Sequence, residues 1–243
     1  MIAAGLFDFW FRFLLAVCLM SGLCVNFVCS GSNLKEWSED FDSLPKGWEV
    51  KGKPGTKAAE FFIEKSEDGT ESWLGMRADN ATATFAVDLD NIDLTETPLL
   101  KWRWRVTVFP TEADGKEPKK DDQAIGIYIS EGSRLRQKSL AYRWETETPV
   151  GEEGTAKYGM GVVTVKWISL RNKEDADGKT FLEEERNLAE DFEKAFGYIP
   201  KKINIGISCN SQYTGSKAEA QLDWIKICAK GDTGQSETSA GLE

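Results

Sequence analysis

The chain has 243 residues, 40 Asp and Glu against 30 Lys and Arg, a net charge of −10, and no histidine. A surface of that overall sign argues against nucleic acid and anionic lipid as partners. Without imidazole, Ser-His-Asp and Cys-His nucleophiles and histidine-based zinc or iron sites are excluded, so any catalysis would rest on Asp, Glu, Tyr, Lys or Arg.

The first segment reads as an export signal. An apolar run begins at Phe13 and reaches Val28, and Val28-Cys29-Ser30 meets the small-residue rule, with Val28 at minus three and Ser30 at minus one. The expected organisation is a signal peptide over 1–30, one β-sandwich domain over 31–229, and a small, polar, disordered tail over 230–243. Export places the protein in the periplasm or outside the cell. The positive region is thin, Arg12 being opposed by Asp8, so an anchor formed by an uncleaved N-terminal segment is the alternative. No later stretch approaches spanning length, and no membrane contact is expected beyond this segment.

Strand-like runs then recur at 61–64, 72–77, 83–88, 99–109, 123–130, 140–145, 162–169, 202–209 and 220–229. Turn pairs such as Asp68-Gly69, Asp114-Gly115 and Asp177-Gly178 separate several of them. The run 99–109 alternates with period two. Leu100, Trp102, Trp104, Val106 and Val108 point one way, and Lys101, Arg103, Arg105 and Thr107 the other. Three long polar loops, 111–122, 146–159 and 171–180, are suitable places for a site.

A single helix is expected over 183–196. Leu188, Phe192 and Phe196 fall on one face, Gly197 caps the end, and Pro200 blocks continuation. The runs 202–209 and 218–229 read as a hairpin joined by the turn 210–217. That register puts Cys209 and Cys228 on the order of 30 Å apart, as buried free thiols. The fold class is all-β: a two-sheet antiparallel β-sandwich, jelly-roll-like, with one α-helix packed on it. The opening Asp40-Phe41-Asp42…Gly47-Trp48 and the closing Leu222-Asp223-Trp224-Ile225-Lys226-Ile227 look like the first and last strands of carbohydrate-binding jelly rolls.

Three ordered segments carry a family resemblance. They are Pro98-Leu99-Leu100-Lys101-Trp102-Arg103-Trp104-Arg105-Val106, then Lys120-Asp121-Asp122-Gln123-Ala124…Tyr128-Ile129, then Arg186-Asn187-Leu188…Asp191-Phe192…Phe196-Gly197…Pro200. Over about 38–228 the chain resembles the bacterial domain-of-unknown-function family numbered 3047. The resemblance implies a secreted β-sandwich and assigns no activity. It also implies an Asp-rich turn ending in Asn-Thr-Gly after the penultimate strand. Here that turn reads Asn210-Ser211-Gln212-Tyr213-Thr214-Gly215, with amides where carboxylates are expected, which weakens a cation-binding or proton-donating role there.

Four sets of residues carry candidate chemistry. The first is the basic stripe of Lys101, Arg103 and Arg105, joined by Arg143 and Lys166 from other strands of the same sheet. It suits the carboxylate or sulfate groups of an acidic glycan, or else a salt-bridged solvent face. A concave sheet lined by Arg103, Arg105 and Tyr128 would favour ligand binding. The second set is aromatic: Tyr213, Tyr158 and Trp144 lie in or beside loops, where a sugar ring can stack, while Trp102, Trp104, Trp167 and Trp224 suit the core. The third is acidic: Asp121 and Asp122 as an acid/base pair or a turn, and Asp191 one helical turn after Asn187. The fourth is a structural calcium ion held by Asp40, Asp42 and Asp223, on the analogy of jelly-roll glycan binders. No other cofactor is expected.

The residues assigned to a ligand are therefore Arg103, Arg105, Tyr128, Arg143 and Tyr213, with no catalytic residue. The reading is an exported domain that binds a glycan-like small molecule or polysaccharide. The alternatives are a periplasmic glycan-active enzyme using a carboxylate pair, and a structural or adaptor protein of the envelope that contacts a protein partner through its loops.

Overall fold

A computed structural model describes residues 36–133 and 136–231, apart from the side chain of Met160. The expected signal peptide and nearly all of the expected tail lie outside the described residues. Those described form thirteen strands and one α-helix. The strands are β1 (Trp37–Glu39), β2 (Glu49–Gly52), β3 (Glu60–Lys65), β4 (Ser72–Asp79), β5 (Thr82–Leu89), β6 (Leu99–Val108), β7 (Ile125–Glu131), β8 (Gln137–Trp144), β9 (Glu153–Tyr158), β10 (Val163–Arg171), β11 (Leu182–Asn187), β12 (Ile203–Asn210) and β13 (Lys217–Cys228); the helix is α1 (Leu188–Phe196).

Two sheets face each other. A six-stranded sheet runs β11-β6-β13-β4-β3, with β1 also paired to β13, and a seven-stranded sheet runs β2-β5-β12-β7-β8-β10-β9. The described residues thus form an all-β sandwich with one α-helix. One pair departs from the expected antiparallel pattern: β10 returns between β9 and β8 and runs parallel to β8.

The core follows from alternation. On β6, Trp102 and Trp104 are fully buried between the sheets, while Arg103 and Arg105 face outward. The two indoles meet aromatic residues of β8 across the sandwich, Trp102 against Tyr142 at 5.5 Å and Trp104 against Trp144 at 5.4 Å between ring centroids. On the seven-stranded sheet, Ile125, Ile127 and Ile129 of β7 and Ile203, Ile205 and Ile207 of β12 point into the same core.

Two expectations are corrected. The segment 183–196 is a strand followed by a helix. Glu183 and Glu185 stand opposite Arg103 and Lys101 of β6, so charge pairing draws this stretch into the sheet edge. The helix starts only at Leu188, where the Asn187 side chain accepts the Glu190 N–H as an N-cap, and it ends at Gly197, whose φ of 79° is the left-handed cap. Second, β12 and β13 are not a hairpin. Each lies at the centre of a different sheet, and the turn between them crosses from one layer to the other. Cys209 and Cys228 are both buried and no disulfide joins them, and the hairpin register expected to hold them apart does not exist. No helix among the described residues is long and apolar enough to cross a membrane.

Candidate functional site

The outer face of the seven-stranded sheet carries an open groove of about 750 Å³ that crosses β2, β5, β12, β7 and β8. Strand register builds its floor. One row is Ala86, Gly206 and Tyr128; the next is Asp88, Asn204 and Ser130. Thr84, Gln137 and Lys51 complete the lining. The floor stays low because Gly206 is glycine: a Cβ there would stand 2.7 Å from the Thr84 methyl group. Its polar groups are held in place, with Asn204 donating to Asp88 at 2.8 Å and the Ser130 and Ser139 hydroxyls 2.8 Å apart. Lys51 and Asp88 are the charged members of the lining, one of each sign.

Tyr128 forms one wall. Its ring lies over Gly126, where a Cβ would meet the ring at 2.9 Å. Burial of its hydroxyl raises the phenol pKa, opposed by the nearby Arg143. Arg143 itself is fully buried. Its Nη1 reaches Asp121 at 2.8 Å and Glu145 at 3.5 Å, and its guanidinium lies 5.1 Å from the centre of the Trp167 ring. Trp167 lies flat on Gly154, where a Cβ would come within 2.2 Å of the indole. The Tyr158 hydroxyl and the Gln123 amide each donate to Asp121 at 2.8 Å. Asp122 is turned inward and accepts from Thr214 N at 2.7 Å and Thr214 Oγ1 at 2.9 Å, tying down the β12–β13 turn.

Glu145 is a strongly perturbed carboxyl of this cluster. Burial pushes its pKa from 4.5 up to about 7, against the pull of Arg143. A carboxyl whose pKa rises on folding contributes stability that is complete below the unfolded value and is lost as pH rises through the folded one. Stability should therefore decline between pH 4.5 and about 7 from this group. Glu145→Gln is expected to flatten that part of the pH–stability curve in urea titrations; an unchanged slope would refute the assignment.

The structure separates the residues expected to share a site. Tyr128 lies in the groove. Arg143 is on the same face but sealed beneath Tyr128, Tyr158 and Trp167. Tyr213 is exposed on the β12–β13 turn, with Lys53 Nζ 5.2 Å from its ring centre, and Lys53 directly follows the groove residue Gly52. Arg103 and Arg105 belong to the other sheet, since β6 pairs with β11 and β13; they share no sheet with Arg143, Lys166 or Tyr128. Both are engaged there. Arg103 pairs with Asp223 at 2.9 Å, Arg105 bonds Gln221 and the Lys179 carbonyl, and both guanidiniums lie over Phe181.

The calcium cage does not form. Among the described residues no three acidic or thiol side chains converge as a metal site; Asp223 is spent on Arg103, and Asp42 accepts from Ser72. Trp144 is core and not loop-exposed, because β8 runs through it. Asp191 bonds Arg186 and Tyr142, and Asn187 caps with Glu190 instead. Thr84, Asp88, Asn204 and Gly206 were not singled out by sequence, and Trp167, read as core, is buried as expected but packs on the outer face of its sheet. Their signal was Gly126, Gly154 and Gly206, each inside a strand where glycine otherwise weakens pairing.

No curated protein matches the sequence. Among solved structures, the chain is similar to the family 11 carbohydrate-binding module of the cellulosomal cellulase Lic26A-Cel5E of Clostridium thermocellum, at 12% identity over 82% of this chain and 96% of that one, with a TM-score of 0.44. It is also similar to the xyloglucanase domain of NopAA, a type three effector from Sinorhizobium fredii, at 10% identity over 79% and 98%, with a TM-score of 0.43. Winged bean acidic lectin matches at 10% identity over 80% and 98%, with a TM-score of 0.37. The family model described as protein of unknown function DUF3047 matches residues 46–226, about three quarters of the sequence, and the chain belongs to that family.

Proposed function

We propose that this domain binds an uncharged oligosaccharide along the groove of the seven-stranded sheet, does no chemistry on it, and works outside the cytoplasm after export. The observation that carries the reading is the groove itself: about 750 Å³, floored by small and hydrogen-bonding side chains and walled by Tyr128. That volume is within the roughly 300–1,000 Å³ of small-molecule sites. Asn204, Gln137, Ser130 and Thr84 offer donors and acceptors that match sugar hydroxyls, and an aromatic wall suits the apolar face of a sugar ring. Lys51 and Asp88 oppose one another, so nothing in the lining selects for a charged glycan. The arginines that would have favoured an acidic glycan are buried or bound on the other sheet.

Hydrolysis of a glycosidic bond takes two carboxyl groups flanking it. Asp88 is the groove's one carboxylate among the described residues, and it already accepts from Asn204. Asp121, Asp122 and Glu145 are turned into Arg143 and Thr214. This supports binding over catalysis.

The test is a glycan array on the full chain, followed by calorimetric titration of the ligands found. Tyr128→Ala is expected to weaken binding by about tenfold, equivalent to about 1.4 kcal/mol. Wild-type affinity should change little between about 50 and 500 mM salt. Retention of only acidic glycans, or full affinity in Tyr128→Ala, would refute the reading.

A further inference from the structure

A second cavity, of about 330 Å³, lies between α1 and the edge formed by β8, β10 and β9. Leu140 and Ile168 from the strands and Ala195 from the helix give it an apolar wall, together with the Tyr142 ring. Five charged side chains line it: Lys166, Arg186, Lys194, Glu153 and Asp191.

Their pairing is unequal. Arg186 holds Asp191 with two bonds, of 2.9 and 2.6 Å, and the Tyr142 hydroxyl donates to the same carboxylate at 2.6 Å. Lys194 reaches from the helix to Glu153 on β9 at 2.8 Å. Both acids are therefore neutralised by a neighbour. Lys166 is half-buried on β10, and its ammonium makes no hydrogen bond or ion pair among the described residues. Its strand neighbours, Leu140 on β8 and Thr155 on β9, carry no charge. Taking an ammonium partly out of water without a counter-charge is unfavourable, and an anion placed in the cavity would offset that cost.

We propose that this cavity binds a small organic carboxylate, its anionic head toward Lys166 and its body against Leu140, Ile168 and Ala195. The volume fits a molecule of that class, at the lower end of the roughly 300–1,000 Å³ range. The site is separate from the oligosaccharide groove, with which it shares no lining residue.

Calorimetric titration of the full chain with two pairs of probes tests this. The pairs are phenylacetate with phenylacetamide, and D-glucuronate with D-glucose. At least one carboxylate is expected to bind about tenfold more tightly than its neutral counterpart. The carboxylate that does so says whether the body is hydrocarbon or sugar. Lys166→Met and Lys166→Gln, checked for native circular dichroism, should both lose the preference, and Tyr128→Ala should keep it. Equal binding of acid and neutral probe in both pairs would overturn the proposal, as would wild-type preference in either folded Lys166 variant.

Discussion

Arg143→Met is expected to destabilise the domain by about 3–5 kcal/mol at pH 8, and by clearly less at pH 5. The guanidinium is fully buried and holds Asp121 and Glu145 through one nitrogen. Without it, two carboxylates remain in a low-dielectric interior with no cation. Glu145 has a way out, because its pKa already lies at about 7 with the arginine present, and loss of the arginine raises it further. At pH 5 it is protonated at no added cost; at pH 8 it must either stay charged or take up a proton against the solution. Asp121 keeps its donors from Tyr158 and Gln123 at either pH. Guanidinium denaturation at both pH values decides the matter. Equal losses at the two pH values would mean that Glu145 does not carry the charge in question, and a loss under about 1 kcal/mol would mean that the cluster is solvated.

Trp104→Ala is expected to cost about 3–5 kcal/mol at any pH, as a large-to-small change in a packed core. Trp104 is fully buried and spans the layers, edge-on to Trp102 at 5.3 Å within its own sheet and tilted against Trp144 of the other at 5.4 Å. Its neighbour in sequence gives the contrast. Arg103 is more than a third exposed and holds Asp223 across two strands, so Arg103→Ala should cost no more than about 1 kcal/mol and leave the proposed oligosaccharide binding intact. Urea unfolding of both variants measures the difference. A harmless Trp104→Ala would mean that β6 faces the other way.

Period-two alternation made β6 readable, because one face is apolar and the other cationic. The same signal is silent on which sheet a strand joins. Arg103 and Arg143 both sit on outward faces, yet the faces belong to opposite layers, and only non-local pairing decides that. The strand β11 was hidden by its own composition. Glu183, Glu184, Glu185 and Arg186 have no apolar period, and the Leu188, Phe192 and Phe196 spacing beyond them extended the expected helix backward. What draws the segment into a sheet is the charge on β6, about 80 residues upstream. β9 escaped for a related reason: Glu153–Tyr158 is short and mostly polar, and it gains its order from pairing with β10. Of the groove, only Tyr128 was legible. Threonine, asparagine, serine and glycine on a strand carry no chemical signature until register sets them side by side.

The position of β13 has a consequence for how the domain is made. It is the last of the described strands, and it lies in the middle of its sheet, flanked by β6 on one side and by β4 and β1 on the other. A chain emerging N-terminus first, from a ribosome or through a translocation pore, holds β4 and β6 apart until Cys228 is out. Until then both have bare edges, and bare edges recruit other chains. Pairing over such sequence separations is slow. The domain therefore folds only after nearly all of it has been delivered, and a holding chaperone is most useful during that interval.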